Sequence, residues 1–193
     1  MPGSIISFGK SGKRSRQQME ESKQYTERLL AELPAHSLVC FTDGACKGNP
    51  GPCGAGVTLF YSVDGGVSQE PVVEMYRYLG QGTNNIAELT AIEMALDIVK
   101  QLETQCKKTW NKTIILTDSK YCEGMFTKGW EAKANLELIQ KIQMQLEHRH
   151  DIEICWIPGH ISTPGNERAD ALANKALKEK DEWTSRGNGM KIL

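Results

Sequence analysis

The chain has 193 residues, 39% of them apolar and 24% charged, with 18 glycines and 7 prolines and a formal net charge of −1. This composition excludes low-complexity and collagen-like chains, and no apolar run approaches the roughly 18–20 residues of a membrane span. The length suits one domain with a full core.

In chain order, residues 1–18 are rich in Gly, Ser, Lys and Arg, lack apolar periodicity, and read as a flexible basic tail. Residues 19–33 (MEESKQYTERLLAEL) read as a short helix stopped at Pro34. Residues 1–36 are thus set apart from a folded body over 37–180, and residues 181–193 read as a C-terminal tail. Lys10, Lys13, Arg14 and Arg16 meet no acid before residue 20, whereas the rest of the chain holds 19 basic against 24 acidic residues. An acidic body of this kind attracts a polyanion poorly unless something local, such as a bound metal, supplies positive charge.

Leu38 to Asp43 is an apolar strand ending on a carboxylate, followed by a Gly/Pro-rich turn from Gly44 to Gly54. Ala55 to Tyr61 and Val72 to Leu79 read as strands joined through an Asp64-Gly65-Gly66 turn. Asn84 to Leu102 is helical, with Ile86, Leu89, Ile92, Leu96 and Val99 on one stripe. Thr113 to Thr117 is a buried-type strand, again followed by an acid, Asp118. Ser119 to Phe126 and Asn135 to His148 read as helices, Asp151 to Ile157 as a strand, and Pro164 to Glu179 as a last helix capped by Thr163. A meander followed by βαβ units gives an α/β fold, a mixed sheet with helices packed on it. Six cysteines (Cys40, Cys46, Cys53, Cys106, Cys122, Cys155) form no CxxC pair, and no secretory signal follows Met1. The reading is reduced thiols in an intracellular protein of the cytoplasm or nucleus.

Two strands that are not neighbours in sequence end in Thr-Asp, at Asp43 and Asp118. Functional groups gather outside the carboxyl ends of strands in open α/β sheets, and side-by-side strands would make these carboxylates converge. Each Asp alone reads more readily as a turn or helix cap. Glu88 shares a helix side with Ala91, Ile92 and Ala95, so it is half-buried and requires a cation. Asp170 repeats that logic against Ala173 and Leu177. Four carboxylates within about 5 Å repel by roughly 3 kcal/mol per pair at an effective dielectric near 20. Such a cluster needs metal or a shared proton, and oxygen-only ligands favour Mg²⁺ or Mn²⁺ over zinc. Phosphodiester hydrolysis by two metal ions uses this arrangement. His160, in a loop between Gly159 and Gly165, is a candidate proton shuttle or product-release group.

Four segments carry a family resemblance: FTDGACKGNPGPCGAG (41–56), TNNIAELTAIEMAL (83–96), LTDSKYCEG (116–124) and WIPGHISTPGNERADALA (156–173). Together they resemble the signature blocks of type 1 ribonuclease H, in order and at similar intervals, over residues 37–180. The resemblance implies a ribonuclease H-like fold with a five-stranded sheet whose first three strands are antiparallel. It implies endonucleolytic cleavage of the RNA strand of RNA–DNA hybrids, leaving 5′-phosphate and 3′-hydroxyl ends, with two Mg²⁺ ions. Asp43, Glu88, Asp118 and Asp170 match the metal-binding acids and His160 the loop histidine. Asn49, Asn84 and Asn85 match contacts to RNA 2′-hydroxyls, Thr83 a DNA-phosphate contact, and Asn166 an asparagine near the metals. Gln81 falls where some members carry arginine.

One departure stands out. Only Thr127 to Ala134 (TKGWEAKA) occupies the place of the basic protrusion common in cellular members, as in reverse-transcriptase-associated and retrotransposon domains. The expected assembly is a monomer without membrane attachment. A DNA-directed nuclease of the same fold and a hybrid-binding protein with a weak site are the alternatives.

Overall fold

The computed structural model describes residues 15–63, 66–159 and 163–186. Helix α1 (Arg16–Ala31) begins three residues before the expected start. The reason is a capping box. Ser15 Oγ accepts from the Gln18 N–H at 3.2 Å and Gln18 Oε1 accepts from the Ser15 N–H at 3.0 Å, satisfying two otherwise orphaned donors.

Strands β1 (Leu38–Cys46), β2 (Gly51–Val63), the two-residue β3 (Gly66–Val67) and β4 (Val73–Gly82) follow. Asp64 and Gly65 of the expected turn lie outside the described residues. Helix α2 (Asn84–Cys106) ends where Lys107 turns left-handed at φ 50°. Strand β5 (Thr113–Thr117), helices α3 (Lys120–Thr127) and α4 (Leu136–Leu146), strand β6 (Ile152–Trp156), helix α5 (Pro164–Glu179) and strand β7 (Glu182–Arg186) complete the chain.

The sheet order is β6-β5-β1-β2-β4-β7, with β3 paired to β2. Strands β1, β2 and β4 are antiparallel, whereas β5 and β6 join in parallel. The sheet therefore has seven strands and not the expected five. The two additions are β3 and β7, and β7 falls in the stretch read as a tail. Lys180 at φ 56° reverses the chain after α5, and β7 then pairs antiparallel with β4. Arg77 holds Glu182 through two hydrogen bonds of 2.8 and 3.2 Å. Trp183 stacks on Tyr76 at 5.7 Å between ring centroids.

Strand periodicity sorts the core into two layers. Leu38, Cys40 and Ile115 point to the side of α2, α3 and α4, where Leu89, Ile92, Cys122 and Ile139 complete the cluster. Val39, Phe41, Ile114 and Leu116 point to the other side, beneath Leu30 of α1 and Ala169 of α5. Helix α5 approaches β2 closely because Gly56 has no side chain. A Cβ there would stand 2.3 Å from the Ala169 carbonyl oxygen. Gly56→Ala is expected to lower stability by about 2–3 kcal/mol, a fall in melting temperature of roughly 5–10 °C. Thermal unfolding checks this, and an unchanged midpoint would contradict the packing.

The cysteines need correction too. Cys46 and Cys53 are register partners on β1 and β2 and are joined in a disulfide. These opposed residues stand unusually close, with Cα atoms 4.1 Å apart, which brings the two sulfurs within reach. Cys40, Cys106, Cys122 and Cys155 remain thiols. Among the described residues no helix is long and apolar enough to cross a membrane.

Candidate active site

The parallel ladder between β1 and β5 ends at the pair Thr42 and Thr117. Asp43, still within β1 and opposite Gly56 of β2, therefore stands beside Asp118, the first residue past β5. The threonine hydroxyls serve the scaffold: Thr42 Oγ1 donates to the Leu116 carbonyl at 3.1 Å, and Thr117 Oγ1 accepts from the Ser119 N–H at 3.1 Å. Glu88 comes from the second turn of α2. That helix presses onto β1 because residue 44 is glycine; a Cβ there would lie 2.4 Å from the Glu88 nitrogen.

One carboxylate oxygen from each of Asp43, Glu88 and Asp118 lies within 4.8 Å of the others. Asp170, on α5, lies close enough to Asp43 to raise its carboxyl and accepts from Asn174 Nδ2 at 3.0 Å. Three of the four acids singled out in the sequence thus converge, and the fourth, Asp170, stands beside Asp43 at the exposed edge of the group.

Their electrostatics follow from crowding. Burial, then the charges of Asp118 and Asp170, pushes the Asp43 carboxyl up to about 8, against one opposing hydrogen bond from Gly44 N–H at 2.9 Å. Glu88 is pushed well above the usual carboxylate range by burial, then by Asp43 and Asp118. Its Oε2 is closed off from solvent and accepts no hydrogen bond. Three converging carboxylates, one of them carrying a buried and unsatisfied oxygen, fit a hard divalent cation, which would return these acids to their charged forms.

Beside the acids lies the start of α2. Thr83 is its N-cap, with Oγ1 accepting from the Ile86 N–H at 3.3 Å. Asn84 and Asn85 occupy the exposed first turn, and Asn49 Oδ1 accepts from the Asn84 N–H at 3.2 Å. That bond ties the β1–β2 loop to the helix and leaves the Asn49 Nδ2 donors uncommitted among the described residues. Asn166 is buried in the first turn of α5, its Oδ1 without a partner. His160 lies outside the described residues.

Gly44 and Trp156 were given no role in the sequence, and Gly159 only marked the His160 loop, although all three lie in quoted blocks. Trp156 Nε1 donates to the Asp118 carbonyl at 3.0 Å, and a Cβ on Gly159 would lie 2.0 Å from Asp118 Oδ2. The available signal was proximity to an acid across parallel strands, which chain spacing alone does not display.

The RNase H family model matches residues 35–178. A ribonuclease H of Alcanivorax borkumensis is 36% identical over 156 residues, covering 74% of this chain and 93% of that protein. A Pseudomonas putida ribonuclease H is 38% identical, covering 74% and 95%. LC11-RNase H1, crystallised in complex with an RNA/DNA hybrid, superposes with a TM-score of 0.62 at 25% identity, covering 74% of this chain and 98% of that one. The RNase H1 of the archaeon Halobacterium salinarum gives 0.55 at 30% identity, covering 74% and 98%. By family match, identity and superposition alike, the chain belongs to the type 1 ribonuclease H family and is an enzyme of that kind.

Proposed function

We propose that this chain hydrolyses the RNA strand of RNA–DNA hybrids endonucleolytically, leaving 5′-phosphate and 3′-hydroxyl ends. The observation that carries the reading is the carboxylate cluster, whose oxygens lie within 4.8 Å of one another around a buried, unsatisfied Glu88 oxygen. Asp43, Glu88, Asp118 and Asp170 are the residues to hold two Mg²⁺ ions, with Mn²⁺ as substitute. When bound, such ions supply an activated water and charge stabilisation at the leaving oxygen.

The chain's own residues do the rest. The four acids fix where positive charge sits, beside an overall acidic surface that would otherwise repel the hybrid. Asn49, Asn84 and Asn85 offer amide groups at one helix end, and hydrogen bonds to 2′-hydroxyls there distinguish RNA from DNA. Thr83 and Asn166 stand by as a phosphate contact and a group near the cations. His160 moves a proton or helps product leave. The working state is a monomer in the cytoplasm or nucleus, with residues 37–180 as the catalytic domain.

The test is cleavage of a labelled hybrid, duplex DNA and duplex RNA with Mg²⁺ and with a chelator. Metal-dependent cleavage of the hybrid's RNA strand alone is expected. Cleavage of duplex DNA would favour a DNA-directed nuclease, and tight hybrid binding without cleavage a binding protein. His160→Ala is expected to slow turnover by about 10²–10⁴-fold without abolishing it, the range of general acid–base assistance. Single-turnover rates check this; a variant with the wild-type rate would remove the histidine from the reaction.

A further inference from the structure

Asp118, half-buried, occupies a mechanically weak position. The ladders of β5 with β1 and with β6 both end at Thr117, and the N-cap of α3 is Ser119. Asp118 thus sits in a one-residue joint between strand and helix, where no sheet pairing fixes its backbone. Both φ and ψ of such a joint are soft unless something outside restrains them.

The restraint comes from the segment leaving β6. Ile157 N–H donates to the Thr117 carbonyl at 2.9 Å. Trp156 Nε1 then donates to the Asp118 carbonyl itself at 3.0 Å. Gly159 closes on the carboxylate so nearly that no Cβ fits between them. The face of the Trp156 ring is occupied as well: the Lys120 ammonium lies 3.0 Å from its centroid and 3.1 Å from Glu123 Oε2. The indole is therefore held in place on its face and spends its N–H on the acid's backbone.

We infer that Trp156 is a positioning residue for Asp118: its indole N–H fixes the joint and so sets where that carboxylate stands among the acids. This rests on the metal-site reading above. Its indole N–H is spent on the Asp118 backbone, so its effect passes through that acid. An ordinary hydrogen bond of this kind corresponds to about 3–10-fold in an equilibrium or rate. Because it acts on a metal acid, the loss should appear in cation binding and kcat, with KM for the hybrid unchanged.

Two variants remove the N–H and keep the ring. Trp156→Phe is the simple one. Incorporation of 3-benzothienylalanine, an isosteric ring with sulfur in place of the N–H, preserves the packing if phenylalanine does not fold. Lys120→Met is the control that removes the cation above the ring and leaves the N–H. The readouts are kcat, KM, and the Mg²⁺ concentration giving half of the Mg²⁺-induced rise in melting temperature. Both N–H-lacking variants should lower kcat by about 3–10-fold and raise that Mg²⁺ midpoint by a similar factor. Lys120→Met should leave the midpoint within twofold. Wild-type kcat and midpoint in the benzothienylalanine protein would overturn the inference, as would a loss confined to KM. Should the wild-type chain itself show no Mg²⁺-dependent hybrid cleavage, the functional reading fails, and that outcome is separate from any difference between variants.

Discussion

Asp118→Asn is expected to lower hybrid cleavage by roughly 10³-fold or more while leaving the chain folded and, without metal, more stable. The amide keeps the shape that Gly159 accommodates, so packing at the joint survives. What disappears is one of three oxygens within 4.8 Å of each other that carry negative charge when a cation is bound. The neighbours gain from the loss. Asp118 is the first charge, after burial, that raises Asp43, and it also raises Glu88. Removing it brings both acids back towards their ordinary range and relieves repulsion. Single-turnover cleavage and thermal unfolding in a chelator measure the two halves. Retention of more than about a tenth of the rate, only about 1.4 kcal/mol of barrier, would take Asp118 out of the site.

The second large effect is a stability profile that metal reverses. Asp43 has its carboxyl raised to about 8, so between about pH 4 and 8 the metal-free folded chain holds a proton that the unfolded chain has released. Stability from this source is complete below about pH 4 and is lost as pH rises through 8, by about 1.4 kcal/mol per unit for one group. Glu88 acts in the same direction. Asp151 and Glu153, lowered by their hydrogen bonds to Arg149 and Lys112, have the opposite sign. Their contribution is lost only as pH falls below the ordinary carboxylate range, outside the window in question. In a chelator the melting temperature should fall steadily from pH 5 to 8, and saturating Mg²⁺ should remove most of that slope. A flat profile in the chelator would mean that the acids are not coupled as their geometry requires. Asp118→Asn should flatten it independently of metal.

Much of this was legible because the relevant signals are local and strong. The Thr42-Asp43 and Thr117-Asp118 sequences and the helix-side placement of Glu88 suffice to bring three acids together once β1 and β5 pair. What escaped depends on partners distant in sequence. Nothing in Glu182, Trp183 and Thr184 announces a strand; their pairing exists because Arg77 and Tyr76 wait on β4. The helix start at Arg16 was legible in Ser15 and Gln18 but was outweighed by the glycine- and lysine-rich composition just before it. The Cys46–Cys53 bridge follows from strand register, which cysteine counting does not contain. Nothing in the sequence around Trp156 shows that its N–H reaches Asp118 across parallel strands.

Helix α1 has a consequence in time. It lies before the family-matched residues 35–178, yet Leu30 packs beneath the sheet with Ile114 and Leu116. During synthesis that helix is finished long before its seat exists. At roughly 5–20 residues per second, Leu116 follows Leu30 by about 4–17 s. A 16-residue helix is marginal alone in water, so throughout that interval Leu29, Leu30 and Leu33 belong to an unpaired nascent segment. Of the described elements, the first made waits for a seat completed far later in the chain. A chain cut back to the matched residues escapes this delay, but it leaves Val39, Phe41, Ile114 and Leu116 without the lid that the delayed helix provides.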